Sequence, residues 1–501
     1  MNLDPKLDMQ IVKKVFLALF IVVATVGFAS SQTRTAYEPR TAQKKIEAYL
    51  DKIGDAGFSG VVLVEINGKP AILKAYGYSN EQAGLKNGPN TLFDIGSLTK
   101  QFTAAAILRL EMAGKLSTED KLIKYFDDVP SDKAGITIHD ILRHQSGLPS
   151  TVGGDYDKIT QADFVKKVFN TPLKFPVGER FSYSNVGYSL LAMIIEKVSG
   201  GSYEDYLQAN LFKPAGMNST GYSRPAFDRR QIAVGYRTNG EVWGKPTDKA
   251  WDGAAPYWHL KGNGGILSTV EDLYKWHRAL LSDNILSKAA KEKLYSPKRR
   301  PNENDNPYYA YGWDVKRTRR DTLLAHHNGT NRIFFADFYR FLDEDVAVIQ
   351  LSTKANPVFR ELNLAISRII FEPNFVPVIP AKETAENIEF TNEVIKTISE
   401  KGFEQGLKTF KARKGNAELI EHLVADKAYE LIDAEKFAAA VDLFRINTIA
   451  YPNSNLAFEG LGEAYLGAKN NAIAIEALNK SLALYGENDY AKRLLRQAQG
   501  Q

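Results

Sequence analysis

At 501 residues the chain is too long for one hydrophobic core, so two or more domains are expected. A composition of 44% hydrophobic and 25% charged residues excludes a disordered or fibrous protein. The 64 basic and 59 acidic residues leave a net charge of +5 without a basic stripe, so nucleic-acid binding has no support, and the absence of cysteine excludes disulfides, thiolate metal sites and thiol nucleophiles.

Lys13 and Lys14 precede an apolar run from Val15 to Phe28, and Ala29-Ser30-Ser31 follows it, which is the pattern of a signal peptide over 1–31. The run falls short of the ~20 residues that cross a bilayer, so a periplasmic or secreted mature protein is expected, with an uncleaved membrane anchor as the alternative. After a short helix over 42–53, the apolar segments 60–65 and 71–76 flank Asn67-Gly68, a hairpin signal. Residues 101–113 are apolar nearly all round and stop at Gly114, which predicts a buried helix. Leu190–Val198, ending at Gly200-Gly201, predicts another. Ser268-Thr269-Val270-Glu271 reads as a capping box opening the helix that carries Trp276. Strands are predicted over 309–315, 332–340 and 346–352, and a helix over 357–371. Strands at both ends with helices between them predict an α+β domain, in which distant segments assemble one antiparallel sheet flanked by helices and a helical subdomain.

The character changes to pure helix beyond the proline-bearing stretch 373–380. Ala440 and Ala474, Val441 and Ile475, and Tyr451 and Tyr485 recur 34 residues apart, and Phe458, Leu461, Gly462 and Tyr465 have tetratricopeptide spacing. Phe403 and Phe410 align in turn with Phe437 and Phe444. The resulting division is a signal peptide over 1–31, a catalytic domain over 32–375, a linker over 376–386 and tetratricopeptide-like all-α repeats over 387–501.

Chemistry concentrates at Ser97-Leu98-Thr99-Lys100. A helix starting at Ser97 places Lys100 on the same face, and the free N–H groups and dipole of a first turn favour negative charge developing there. A partly desolvated amine can accept a serine proton. Tyr183-Ser184-Asn185 follows a turn-rich approach to the second buried helix; a phenol can relay a proton, and an asparagine amide can hold both a carbonyl and a lysine. His327-Asn328-Gly329-Thr330 places a donor and a glycine where a strand edge could pair with substrate backbone. The segment Gly57-Phe58-Ser59-Gly60 lacks the last glycine of Gly-x-Ser-x-Gly, and no His-Glu-x-x-His is present. His326-His327 has no spaced partner, so neither a metal nor a cofactor is expected.

In this order the three motifs resemble the family of class C β-lactamases, low-molecular-weight penicillin-binding proteins, D-peptidases and related esterases. Residues 93–100, 136–149, 176–187, 214–217 and 262–273 add to the resemblance, which spans roughly 58–370. It implies a β-lactamase/transpeptidase-like fold with Ser97 as nucleophile and Lys100 and Tyr183 sharing general base and acid work. Asn185, His327, Gly329 and Thr330 would bind substrate, with the backbone N–H groups of Ser97 and Thr330 holding the oxyanion. His327 stands where true β-lactamases commonly have lysine, which favours D-amino-acid peptides, including peptidoglycan-derived ones, or carboxylic esters over β-lactams. Arg332 could supply the missing cation or be merely solvated. The competing reading is a catalytically weak penicillin-binding-like protein whose helical repeats recruit a protein partner.

Overall fold

The computed structural model describes residues 39–500 apart from 223–224, 238–239, 250, 253–254, 297–307, 356–358 and 414. The signal-peptide reading of 1–31 lies outside the described residues. Strands β1 (Gly60–Ile66), β2 (Lys69–Tyr76), β3 (Tyr308–Tyr309), β4 (Asp314–Arg317), β5 (Leu323–Thr330), β6 (Phe335–Phe341) and β7 (Val346–Ser352) form a seven-stranded antiparallel sheet in the order β3-β4-β5-β6-β7-β1-β2. The predicted hairpin turns at Asn67 and Gly68, both with positive φ (53° and 71°). Its first strand pairs with the distant β7 from Gly60↔Ser352 to Glu65↔Ala347.

β1 and β7 are buried along their whole length because both faces of the sheet are covered. Alternate side chains enter two cores, as the pleat requires. Val61, Leu63, Ile349 and Leu351 join the core holding α2 (Thr99–Met112), α3 (Asn185–Ser199) and α4 (Val270–Leu281). Val62, Val64, Val346 and Val348 face α1 (Pro39–Asp55) and α5 (Leu362–Phe371).

Two local expectations change. Thr269, not Ser268, caps α4, accepting from the Asp272 N–H. The stretch predicted as one strand over 309–315 is broken into β3 and β4, because Gly312 adopts φ +75° and reverses the chain between them.

The region beyond Ala385 forms seven helices among the described residues: α6 (Ala385–Lys401), α7 (Phe403–Lys411), α8 (Glu421–Asp433), α9 (Phe437–Ala450), α10 (Asn455–Gly467), α11 (Asn471–Leu484) and α12 (Asp489–Ala498). Helices start at 403, 437 and 471, and again at 421, 455 and 489, so the 34-residue period of the sequence is also a period of structure. Gly462 lets α10 and α11 approach; a Cβ there would lie 2.5 Å from Leu478 Cγ.

A buried polar chain ties α4 to the sheet. His277 Nε2 lies 2.6 Å from the Glu65 carboxylate, Arg278 donates to the same carboxylate (2.8 Å), and Arg340 Nε donates to His277 Nδ1 (2.9 Å). Burial pushes the Glu65 carboxyl up, but His277 and Arg278 outweigh it and hold it below the usual range. Burial lowers His277 to about 4, so the ring is neutral at pH 7. Glu65→Ala leaves Arg278 without its acceptor and His277 without its carboxylate neighbour, and is expected to cost roughly 3–5 kcal/mol, read as a lower urea midpoint at unchanged slope. Both folded pKa values lie below their unfolded ones, so wild-type stability is full above about pH 6.5. It falls as the pH drops toward 4, where the unfolded chain binds the extra protons.

Candidate active site

Ser97 lies on a 3₁₀ turn, Gly96–Leu98, that runs directly into α2. From Phe93 to Lys100 every residue is buried except Ser97, which is half-exposed. The turn is held by Asp94, whose Oδ1 accepts from the Gly96 N–H (2.8 Å) and whose Oδ2 accepts from Asn331 Nδ2 (2.9 Å). Burial raises Asp94 to about 7.

Lys100 has no solvent exposure. Its Nζ lies 3.1 Å from Ser97 Oγ, 2.8 Å from Asn185 Oδ1 and 2.7 Å from the Asn263 carbonyl oxygen. Burial lowers its pKa well below the ordinary lysine range, and Asp155 pulls it only partly back. A neutral amine has two N–H groups and one lone pair. The two obligate acceptors, Asn185 Oδ1 and the Asn263 carbonyl, take the hydrogens, and the lone pair is left for the Ser97 hydroxyl. The arrangement can therefore withdraw a proton from Ser97.

Asn185 is the first residue of α3, which Ser184 caps by accepting from the Gly187 N–H. Tyr183, just before it, presents its ring to Lys100, with the centroid 4.7 Å from Nζ. Burial raises the phenol, and the nearby Ser97 hydroxyl offsets this only in part, so Tyr183 stays protonated at neutral pH. Its hydroxyl is buried without a well-formed hydrogen bond, which leaves it free to serve a reacting group.

His327 projects from β5 into the same cluster. Nδ1 donates to the Asn328 carbonyl (2.5 Å) and Nε2 accepts from the Tyr309 hydroxyl (2.9 Å). Burial, above all, lowers its pKa to about 3. The sequence placed His327 against substrate; the structure commits both ring nitrogens to protein, leaving none to hold a substrate carboxylate. His326, its neighbour, faces the opposite side of the sheet against Tyr339 (5.1 Å between ring centroids), so the pair shares no site.

β5 is an interior strand only at its start. Its pairing with β4 ends at Asp314↔His326, so His327 to Thr330 run on beyond the neighbour and present an edge beside Ser97. Gly329 and Gly96 permit the close approach: a Cβ on Gly329 would lie 2.0 Å from the Ile95 carbonyl oxygen and 2.7 Å from the Ser97 nitrogen, and one on Gly96 2.6 Å from the Thr330 nitrogen. Gly329→Ala is therefore expected to push β5 off the nucleophile turn. A loss of about 10²–10³ in kcat, the scale of one oxyanion donor, would accompany a stability loss of about 1–3 kcal/mol. Steady-state kinetics and urea unfolding on the same preparation check both.

Arg332 is exposed, with φ +67°, and acts on Asp155, which burial raises and Lys100 and Arg332 lower. Four contributors lacked an assigned role in the sequence: Asn263, Tyr309, His144 and Asp155. The Asn263 side chain donates to Ser189 Oγ and to the His259 carbonyl (both 2.9 Å), which fixes its backbone carbonyl on Lys100. Gly262-Asn263-Gly264-Gly265 was a visible signal for such a backbone contact. The His144 ring lies 4.2 Å from that of Tyr183, and its Nδ1 accepts from the Ser184 N–H, so His144 props the segment carrying Tyr183.

Comparison with known proteins agrees with this geometry. Residues 42–369 match the Beta-lactamase family model. Penicillin-binding protein 4* of Bacillus subtilis is 33% identical over 367 residues, spanning 69% of this chain and 80% of the relative. The crystal structure of a penicillin-binding protein from Bacillus halodurans superposes with a TM-score of 0.52 at 27% identity, covering 62% of this chain and 96% of that one. D-amino acid amidase from Ochrobactrum anthropi, at 23% identity and a TM-score of 0.55 over 66% of this chain and 96% of its own, shares the fold. A serine one turn before a buried lysine, an asparagine opening the next core helix and a glycine-bearing strand edge thus sit in a matching framework, and the chain belongs to the beta-lactamase family of serine hydrolases, among homologues of the penicillin-binding proteins.

Proposed function

We propose that this protein is an exported serine hydrolase that cleaves an amide or ester through an acyl-enzyme, with D-amino-acid peptides or carboxylic esters preferred to β-lactams. The observation that carries the reading is the three-way environment of Lys100, in which a desolvated amine keeps its lone pair for Ser97. Ser97 Oγ bonds to the substrate carbonyl carbon as its proton passes to Lys100. The oxyanion lies between the N–H groups of Ser97 and Thr330. Protonated Tyr183 donates to the leaving group and is reprotonated from Lys100. Water then cleaves the acyl-enzyme by the reverse path.

The preference against β-lactams rests on charge. With His327 neutral and doubly bonded, no cation of β5 itself faces the nucleophile, and a β-lactam carboxylate loses its usual anchor. Export is supported by Lys13, Lys14 and the apolar run after them. The unit over 32–375 carries the chemistry in this reading, and the tetratricopeptide-like repeats over 387–501 brace it or engage a partner.

Activity against D-Ala-D-Ala peptides, short-chain p-nitrophenyl esters and nitrocefin tests the proposal. The expected outcome is turnover of a peptide or ester at least about tenfold faster in kcat/KM than of nitrocefin. Nitrocefin as the best substrate would reverse the preference. Absence of turnover, together with no labelling by fluorophosphonate or penicillin probes, would return the protein to a binding role.

A further inference from the structure

A cavity of about 270 Å³ lies between α1 and α5 on one side and α8 to α10 on the other, lined by none of the residues around Ser97. Its volume is near the lower end for small-molecule sites. Ile53, Phe359, Leu362 and Ala365 give it an apolar wall. Glu361, next to α5, and Glu421, the first residue of α8, face the same enclosure. Burial raises both carboxyls; the charge of Glu421 raises Glu361 further while Arg368 lowers it, and the Ser454 hydroxyl lowers Glu421 in part.

The acceptors there exceed the donors. Glu421 Oε1 is buried without a hydrogen-bond partner. Asn447 is fully buried at the cavity wall; its Nδ2 donates to the Glu421 carbonyl oxygen (3.2 Å), while its Oδ1 has no donor. The cation at the rim is already engaged. Arg368 donates to Glu372 (2.9 and 2.7 Å) and to the Leu484 carbonyl (2.5 Å), and its guanidinium lies 3.8 Å from the Phe375 ring centroid. His422 pairs with Glu383 (3.6 Å). Buried acceptors without donors cost stability, and carboxyls in an apolar enclosure are relieved by a proton or by a paired positive charge.

We infer that this cavity is a binding site for an organic cation, an ammonium group carried on a compact apolar body, whose N–H groups donate to Glu361, Glu421 Oε1 and Asn447 Oδ1. An inorganic ion would leave the apolar wall unused, and a neutral apolar molecule would leave the acceptors unmet. Because the lining comes from both the hydrolase and the helical region, an occupant ties the two together.

Phenethylammonium chloride, with 2-phenylethanol as its neutral counterpart, tests the site by isothermal titration calorimetry on the full chain. One equivalent of amine is expected to bind, roughly tenfold or more tightly than the alcohol. Glu421→Gln and Glu361→Gln should each weaken the amine by a similar factor while leaving hydrolysis unchanged. Ser97→Ala should leave amine binding intact, which separates this site from the catalytic one. Should a glutamine variant fold poorly, Ala365→Phe fills the cavity and is expected to abolish binding without new charge. No saturable binding up to about 10 mM overturns the inference. So does equal affinity for the alcohol, or amine binding that survives both glutamine variants and Ala365→Phe.

Discussion

Ser97→Ala is expected to abolish covalent labelling by fluorophosphonate and penicillin probes and to lower turnover by at least about 10⁴-fold, with almost no change in stability. Ser97, the proposed nucleophile, is the half-exposed residue of an otherwise buried turn, and its hydroxyl lies 3.1 Å from Lys100 and near the Tyr183 phenol. Alanine fits the 3₁₀ turn without collision, so the unfolding free energy should stay within about 0.5 kcal/mol of wild type. Intact-protein mass spectrometry after probe treatment reads the first effect and urea unfolding the second. Labelling that persists in the variant would move the nucleophile elsewhere. A large stability loss would show that Ser97 is part of the framework.

Lys100→Met is expected to slow acylation by about 10²–10⁴-fold, the usual contribution of a general base, while changing stability by no more than about 2 kcal/mol. Two effects on stability oppose one another. The Asn185 and Asn263 oxygens lose their donor, which destabilises. Against this, the wild-type amine is buried with a depressed pKa, so between that lowered value and about pH 10.4 the unfolded chain binds a proton that the folded one releases, and methionine removes that penalty. The sign is open to a direct check: the Lys100 contribution to wild-type stability improves as pH rises from its lowered folded value toward about 10.4 and is level above it. The same depression shifts the basic form of Lys100 to lower pH, so acylation in the wild type should rise with pH below the ordinary lysine range. Single-turnover acylation across pH, in parallel with unfolding, separates the catalytic effect from the structural one. Equal losses in rate and stability would reduce Lys100 to a structural residue.

Tyr183 bears on which group takes the first proton. Its phenol is raised by burial, so at neutral pH it is a donor and not a base. Lys100 is shifted in the opposite direction by the same desolvation. One physical cause thus shifts the two groups in opposite directions, the phenol toward keeping its proton and the amine toward losing one.

Much of this was legible in the order of residues. The apolar runs at 60–65 and 346–352 were readable as strands, and both form in the central sheet, buried along their length. The all-round apolar character of 101–113 required a core helix, and α2 lies in the core. Ser97 and Lys100, three apart, had to share a helical face whatever surrounded them. The 34-residue recurrence in sequence reappears in where the helices start. The misread details were local choices between near-equal options: which of Ser268 and Thr269 caps α4, and whether 309–315 runs straight or reverses at Gly312.

By itself, then, the sequence determined the layered fold and the helical tail and brought Ser97 and Lys100 forward as a candidate pair, because these follow from periodicity and spacing along one stretch of chain. The tertiary structure alone decided the chemical state of that pair. The Asn263 carbonyl is a backbone atom and carries no side-chain signature, Tyr309 reaches His327 across 18 positions, and Asp155 acts on Lys100 only through space. A pKa shift and a committed hydrogen bond belong to an environment assembled from distant segments. That is why the depressed pKa of Lys100, and His327 as a ring with no nitrogen to spare, became visible only once those segments were folded together.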